Sequence, residues 1–152
     1  MRRALRAILL AACLAGGCNA GTIEISSAPM AGLIGGVAWS FGTAETNALL
    51  SRSDQLWIDV YQEALAPCTG AGASVSSNRL ILNAPTQAGD YLLGSGVRVT
   101  FYVPMTGNNY VATQGRMVID QVTDTMLSGG ANLRYDDSND VDGQFQATIC
   151  PP

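Results

Sequence analysis

The chain has 152 residues and a formal net charge of −4, and its eight basic residues are all arginine, because lysine and histidine are absent. Without imidazole or ε-amino groups, the sequence excludes Ser-His-Asp and Cys-His catalysis, histidine-bearing zinc sites, Schiff-base chemistry and P-loop nucleotide binding. The hydrophobic fraction of 47% indicates a folded chain rather than a disordered one, and the length is that of a single domain.

The N-terminus has the pattern of a secretory signal peptide. Arg2, Arg3 and Arg6 form a positive region, and an apolar stretch covers residues 7–17, directly before Cys18. This stretch is too short for a transmembrane helix, which needs roughly 20 apolar residues. We therefore expect the segment to direct export and then to be removed.

Small residues that run into a cysteine resemble the lipobox of bacterial lipoproteins, in which that cysteine becomes the new N-terminus and carries fatty acids such as palmitate. Two cysteines compete for the role, since Leu10 holds the usual leucine position before Cys13, whereas Ala15 holds it before Cys18. Cleavage before Cys13 would leave a short apolar stretch and three unmodified thiols in an oxidising compartment. Both arguments favour Cys18.

The resemblance also implies a location. In lipoproteins an Asp directly after the acylated cysteine marks retention in the inner membrane, and Asn19 follows Cys18 here. We expect a lipid anchor in the outer membrane; a plain signal peptide would instead give a secreted or periplasmic protein. The expected segments are a signal peptide over 1–17, a lipidated cysteine with a tether and possible first strand over 18–30, and a single β domain over 31–152.

Beyond the tether, apolar residues alternate with polar ones between turns rich in Gly, Pro and Asn, which predicts an all-β fold. The clearest predicted strands are 37–41, 56–61, 97–103 and 145–149. Weaker ones are 22–26, 79–83, 91–93, 110–113, 117–122 and 131–135. One helical candidate, 44–51, fits a loop equally well. About nine or ten strands predict an antiparallel β-sandwich or small β-barrel that ends in a three-strand meander.

Three turn sequences, at residues 94–96, 107–109 and 136–140, are predicted hairpin loops. The spacing of Gly and apolar residues near the C-terminus is similar to the final meander of many small β-rich bacterial envelope proteins. The residues that carry this similarity are Gly115, Met117, Ile119, Leu127, Gly129, Val141, Gly143, Phe145, Ala147 and Cys150. The resemblance implies register and turns, and it implies no activity.

Once Cys13 is removed and Cys18 is acylated, two thiols remain, Cys68 and Cys150. A disulfide between them would close most of the domain, and the chain-entropy estimate for a loop of roughly 80 residues is about 4.5 kcal/mol. A reactive thiol pair is the alternative, but it lacks both the close CxxC spacing and a Lys or His to lower a thiol pKa. The sequence predicts a structural bridge.

An aromatic face is the first candidate binding site. Trp57, Asp59 and Tyr61 project from one side of a predicted strand, and Arg98 and Tyr102 project from one side of another. Sugar-binding surfaces combine flat rings for stacking with charged groups for hydrogen bonds. The alternative is that these residues pack beneath a loop or against another layer of strands.

Four carboxylates crowd into one turn, at Asp136, Asp137, Asp140 and Asp142. Such a density of oxygen ligands could hold Ca²⁺. The spacing fails the helix-loop-helix calcium pattern, however, and the flanking segments are predicted strands. A solvated acidic hairpin tip is the simpler interpretation, and we expect no other cofactor.

The composition disfavours catalysis and nucleic-acid binding. Only carboxylate pairs remain as catalytic groups, and the three glutamates, Glu24, Glu45 and Glu63, lie in separate segments. Removal of residues 1–17 leaves five arginines against twelve acidic residues, which disfavours both phosphate backbones and anionic headgroups. Membrane attachment would then depend on the acyl chains.

These observations predict a non-enzymatic, lipid-anchored β domain of the cell envelope. In the first hypothesis it is an accessory or structural protein that docks on another envelope protein. In the second it binds a small ligand or a glycan, either inside a barrel or on the face that carries Trp57 and Tyr61. A cavity would favour the ligand, and a filled core with an exposed apolar edge would favour the protein partner.

Overall fold

Strands dominate the computed structural model, which describes residues 22–152, and the predicted all-β fold class is confirmed. The one helix among these residues is a short 3-10 turn, Ala71–Ser74. The strands are β1 Ala31–Ile34, β2 Val37–Ser40, β3 Thr43–Thr46, β4 Gln55–Tyr61, β5 Arg79–Pro85, β6 Gly89–Leu92, β7 Arg98–Val103, β8 Asn108–Val111, β9 Gln114–Val122, β10 Met126–Asp136 and β11 Asn139–Thr148. The predicted signal peptide, Cys13 and the predicted acylation site Cys18 lie outside the described residues.

The strong alternating segments all form strands, as does every weaker one except 22–26, which is irregular. The helical candidate 44–51 is also wrong. Its first part belongs to β3, where Ala44 and Thr46 are buried and Glu45 points to the other side, and its second part is a turn. Pairing with β4 therefore decides the conformation of a segment whose local sequence does not. Strand β1 was not predicted, since it is short and begins with Ala31 and Gly32.

The strands form one curled sheet, a half-barrel, in the order β6-β9-β10-β11-β3-β4-β5-β7-β8, with β1 on β11 and β2 on β1. The predicted meander is present as β9-β10-β11. All pairings between these strands are antiparallel except the short parallel contact of β11 with β3, at Thr148 and Glu45. The predicted hairpins at 107–109 and 136–140 are present, whereas 94–96 joins β6 to a strand that does not pair with it.

A corner between β8 and β9 brings the two ends of the sheet together. Ala112 N–H donates to the carbonyl of Val99 in β7, and Thr113 N–H donates to the carbonyl of Arg134 in β10, both at 2.9 Å. The chain therefore passes from one half of the sheet to the other within two residues. Apolar side chains from both halves, including the fully buried Phe101 and Leu133, fill the interior as a single cluster.

The segment 22–26 lies against the meander on the side opposite the core, where side chains rather than a strand ladder hold it. The residues that follow pair with β11 through the backbone, at Ala28 and Met30 with Gln144, and Met30 is buried in the core. Arg116 Nη1 donates to the carbonyl of Ile23 at 2.9 Å, and Asn132 Nδ2 donates to the carbonyl of Glu24 at 3.0 Å. Gln144 Nε2 donates to the carbonyl of Ser26 at 2.7 Å. These bonds satisfy the backbone without strand pairing, which explains why the predicted strand 22–26 is absent.

A disulfide joins Cys68 to Cys150, with the two Cα atoms 5.4 Å apart and the two residues 82 positions apart in sequence. It agrees with the predicted bridge. Cys150 N–H also donates to Thr46 Oγ1 at 2.8 Å, so the end of β11 is tied both to β3 and to the long segment after β4. Residues 22–152 contain no helix long and apolar enough to span a membrane.

Candidate ligand-binding face

The outer side of β4, β5 and β7 carries polar and aromatic side chains, while the inner side of the same strands is apolar. In β5, for example, Leu80 and Leu82 are fully buried in the core. Strict alternation puts every second residue on the opposite side. We call this side the outer face: Trp57, Asp59, Tyr61, Arg79, Ile81, Asn83, Arg98, Thr100 and Tyr102.

The five predicted aromatic and charged residues do share this face, but they form two groups. Strand β5 lies between β4 and β7, so that Asn83 separates Trp57 from Arg98. At the other end Arg79 lies between Tyr102, its partner in register, and β4. The residues of β5 at the centre of both groups were not predicted as site residues, because their place depends on strand order.

The Arg79 group is a packed cluster. The Arg79 guanidinium carbon lies 4.9 Å from the Tyr102 ring centroid and 5.8 Å from that of Tyr61, within the range of cation–π attraction. Arg79 Nε lies 3.8 Å from Asp59 Oδ1, and the two side chains are 21% and 17% exposed. The arginine therefore stacks on two rings while it balances a half-buried carboxylate.

Burial and neighbouring charges shift two acids in this cluster. Burial raises the pKa of Asp59, Arg79 lowers it, Glu45 raises it and Asn47 lowers it, with burial the largest effect. Burial and then the Asp59 charge raise the pKa of Tyr61 to about 12. Tyr61 therefore remains a neutral hydroxyl at physiological pH.

The segment 62–78 covers this end of the face. A Cβ at Gly72 would lie 2.2 Å from the Tyr61 hydroxyl and 3.0 Å from Glu45 Oε1, so only glycine allows this approach. Cys68 N–H donates to Glu45 Oε2, and the disulfide fixes the same segment. Glu45 lies opposite Asp59 in register, but the covering segment stands in front of this carboxylate pair. We call this end, with Asp59, Tyr61, Arg79 and Tyr102, the closed end.

The other end of the outer face opens into a pocket of about 370 Å³. Gln55, Trp57, Asn83 and Arg98 line it, together with the loop that contains Gly94 and Gly96. Gln55 Nε2 donates to the carbonyl of Gly96 at 3.1 Å and so holds the loop at the rim. The volume lies at the lower end of the range for small-ligand sites.

Asn83 is the unusual residue of this pocket. It is 7% exposed, and its Nδ2 atom has no hydrogen-bond partner among residues 22–152. A buried polar group without a partner costs about 1–3 kcal/mol. Rotation of the amide by 180° exchanges Nδ2 with Oδ1, so the side chain can offer either a donor or an acceptor to a molecule in the pocket.

A second pocket, of about 380 Å³, adjoins the first. Gln55 and Trp57 line both, and the second is completed by Leu49, Leu50, Arg52 and Asp54. The turn that carries these residues is anchored on the backbone of Trp57. The backbone N–H of Trp57 donates to Ser51 Oγ at 3.0 Å, and its carbonyl accepts from the backbone N–H of Asn47 at 2.7 Å. The two pockets together are called the Trp57 groove.

The acidic turn of the calcium hypothesis is the tip of the β10–β11 hairpin. Its carboxylates are occupied separately: Asp136 Oδ1 accepts from Ser138 N–H, Asp137 and Asp140 contact Arg134, and Asp142 Oδ1 accepts from Ser26 N–H. Within the described part of the chain, the one group of three potential metal ligands is Glu45, Cys68 and Cys150. Its two sulfurs form the disulfide and are not thiolates.

A third pocket, of about 340 Å³, lies where segment 22–30 meets the meander, lined in part by Pro29, Phe41 and Phe145. None of its lining side chains carries a buried polar atom without a partner in the described region. The Trp57 groove is therefore the better candidate.

Comparisons with protein-family models, curated proteins and solved structures give no match for this chain.

Proposed function

We propose that the chain is a non-enzymatic carbohydrate-binding domain of the bacterial cell envelope, and that sugars bind in the Trp57 groove. The observation that carries the proposal is the buried Asn83 amide, whose Nδ2 lacks a partner on the wall of a pocket. A sugar hydroxyl both donates and accepts hydrogen bonds, so it satisfies the amide in either orientation. Trp57 supplies a flat ring for stacking, and Arg98 supplies charged donors.

The filled interior supports binding on the outer face. Aliphatic and aromatic side chains occupy the inside of the curled sheet as one cluster. A ligand inside a barrel would need that space, whereas a ligand in the groove contacts side chains that point away from the core.

Titration with a panel of oligosaccharides tests the proposal. Tryptophan fluorescence should change on binding, and the change should be lost in Trp57→Phe, because the remaining indole of Trp39 is buried at 3% exposure and donates to the carbonyl of Asn78. Asn83→Leu should weaken binding about tenfold or more while the domain stays folded, since an apolar side chain of similar size replaces an unpartnered amide. Asn109→Leu changes an exposed asparagine on β8 and serves as the matched control.

Two results would contradict sugar binding in the groove. One is a panel in which no oligosaccharide alters the fluorescence or gives binding heat. The other is equal affinity of the wild type and Asn83→Leu, with both folded by circular dichroism.

The proposal includes an anchor at the outer membrane, with fatty acids on Cys18. The bond from Arg116 to the carbonyl of Ile23 fixes the chain to the domain five positions after that cysteine. Five residues span at most about 18 Å. An acylated Cys18 would thus hold the domain close to the lipid surface, with the membrane as a covalent partner through its lipid.

A second candidate function is docking on another envelope protein. Among the described strands β2 pairs with β1 alone, so its other edge offers unpaired backbone groups. Val37 in this strand is 60% exposed, and Leu33 across the hairpin is 36% exposed. Such an edge accepts an added strand from a partner. A photocrosslinker at Val37 should capture one defined envelope protein in cells, and one at Gln121 in β9 should not; equal capture at both sites would contradict docking.

A further inference from the structure

The arginines of the domain divide into two sets. The described region contains five, and three of them are ion-paired: Arg79 with Asp59, Arg116 with Asp90, and Arg134 with Asp137 and Asp140. Arg52 and Arg98 have no carboxylate within 4.0 Å among residues 22–152.

Both unpaired arginines line the Trp57 groove, one in each pocket. Arg98 lies beside Trp57 and Asn83 in the first pocket, and Arg52 lies on the far side of Trp57 in the second. Backbone bonds between Arg52 and Gln55, which also lines both pockets, fix the position of Arg52. The one carboxylate that lines the groove is Asp54, in the pocket of Arg52.

This placement is informative because the domain as a whole is acidic. Five arginines stand against twelve acidic residues in the described region. The other three arginines each pair with at least one of these carboxylates. The groove instead keeps two guanidinium groups available on either side of an indole ring, and guanidinium binds carboxylates in a fixed two-bond geometry.

We propose that the Trp57 groove selects acidic oligosaccharides whose sugars carry carboxylates, that is, chains of uronic acids. One sugar ring stacks on Trp57, its hydroxyls satisfy the Asn83 amide, and its carboxylate pairs with Arg98. Arg52 pairs with the carboxylate of a neighbouring sugar in the second pocket. The inference rests on the proposed carbohydrate binding and adds the chemical class of the ligand.

The test uses three acidic probes, oligomers of galacturonate, of mannuronate and of guluronate, each beside its carboxyl-reduced neutral form. Isothermal titration of the folded protein should show at least one acidic oligomer that binds about tenfold or more tightly than its reduced form. Raising the salt concentration should weaken that binding, because part of the attraction is between exposed charges.

Four variants locate the contacts. Arg98→Gln and Arg52→Gln should each weaken binding of the acidic oligomer about tenfold and leave the reduced form unaffected. Asp54→Asn should tighten binding, since it removes the carboxylate that repels the ligand. Arg134→Gln, which removes an ion-paired arginine at the hairpin tip, is the control and should leave binding of both oligomer forms unchanged.

The possible failures are distinct. If the reduced oligomers bind as well as the acidic ones, carbohydrate binding stands and the preference for uronic acids is refuted. Equal affinities of Arg98→Gln, Arg52→Gln and wild type for the acidic oligomer would refute the role of the arginines. If no oligosaccharide of either kind binds, both the ligand class and the proposed function are wrong.

Discussion

Arg79 is the residue on which the closed end depends. Its planar guanidinium faces the rings of Tyr61 and Tyr102 while its Nε lies near Asp59, an arrangement that the compact ammonium of lysine could not reproduce. The attraction to Arg79 does not fully offset the burial of Asp59, because burial is the larger influence on the pKa of that carboxyl. The ionised carboxylate is therefore held in the fold at a cost in stability.

Asp59→Asn should raise the free energy of unfolding at pH 7. The folded protein raises the pKa of Asp59 above its unfolded value of 3.8, so between these two pKa values the folded state binds more protons. Stability from this group is present at pH values below 3.8 and is lost as the pH rises through the folded pKa. In urea denaturation across pH 3 to 7, the free energy of unfolding of the variant should rise relative to that of the wild type as the pH increases.

Asp90 provides the opposite control. A hydrogen-bonded pair with Arg116 lowers the pKa of this exposed carboxyl, so its contribution is present at neutral pH and is lost in acid. Asp90→Asn should accordingly lower the free energy of unfolding at pH 7 and leave it unchanged near pH 2. A difference between Asp59→Asn and the wild type that does not vary with pH would contradict the account of Asp59.

At the scale of elements, the disulfide holds segment 62–78 against β3 and β11. The double variant Cys68→Ala/Cys150→Ala should lose about 2–5 kcal/mol of unfolding free energy, because the bridge closes a loop that spans most of the domain. Limited proteolysis should then cut first within 62–78. Without the bridge, this segment keeps the Glu45 contact and the Gly72 packing as anchors. A loss below about 1 kcal/mol would show that these anchors hold the segment without the bridge.

A single glycine in β11 allows the close approach of the N-terminal segment. A Cβ at Gly143 would lie 2.6 Å from Met30 Cα and 2.7 Å from the carbonyl oxygen of Ala28, and its φ of +136° disfavours other residues. Gly143→Ala should therefore lower the melting temperature and expose 22–30 to proteases. Gly107→Ala is the matched control, since Gly107 also has a positive φ, +67°, but nothing lies within 4 Å of its Cβ position. Equal losses of melting temperature in the two variants would contradict a stabilising role for this close approach.

At the scale of the whole molecule, local pattern predicts strands well and their neighbours poorly. Alternation revealed β4, β5 and β7 because each has one aliphatic side and one polar side. The order of these strands depends on contacts between distant parts of the chain. Strand β6 leaves this region to pair with β9, so that β5 and β7 become neighbours. Asn83 and Arg79 lie at the centres of the two groups on the outer face for that reason alone, and no property of the neighbouring sequence marks them.

The same argument explains why the Trp57 groove could be predicted only in part. Trp57 and Arg98 were recognised from their chemistry, which needs no knowledge of the fold. Arg52 directly follows the segment 44–51, whose helical pattern is uncertain, and the structure places 47–52 in a turn anchored on Trp57 by Ser51 and Asn47. The chemistry of a side chain can thus be predicted from the sequence alone. To predict which side chains converge, the order and register of the strands must also be known.

The charge of the whole molecule bears on the proposed membrane anchor. Five arginines stand against twelve acidic residues in 22–152, so anionic headgroups would repel the domain, and the proposed attachment would depend on fatty acids. Metabolic labelling with a palmitate analogue should therefore modify the wild type and Cys13→Ala, and it should fail in Cys18→Ala. In a low-salt extract, where charge attraction would be strongest, Cys18→Ala should remain outside the membrane fraction. Label retained in Cys18→Ala and lost in Cys13→Ala would move the anchor to the earlier cysteine, and membrane attachment of an unlabelled protein would contradict a lipid anchor altogether.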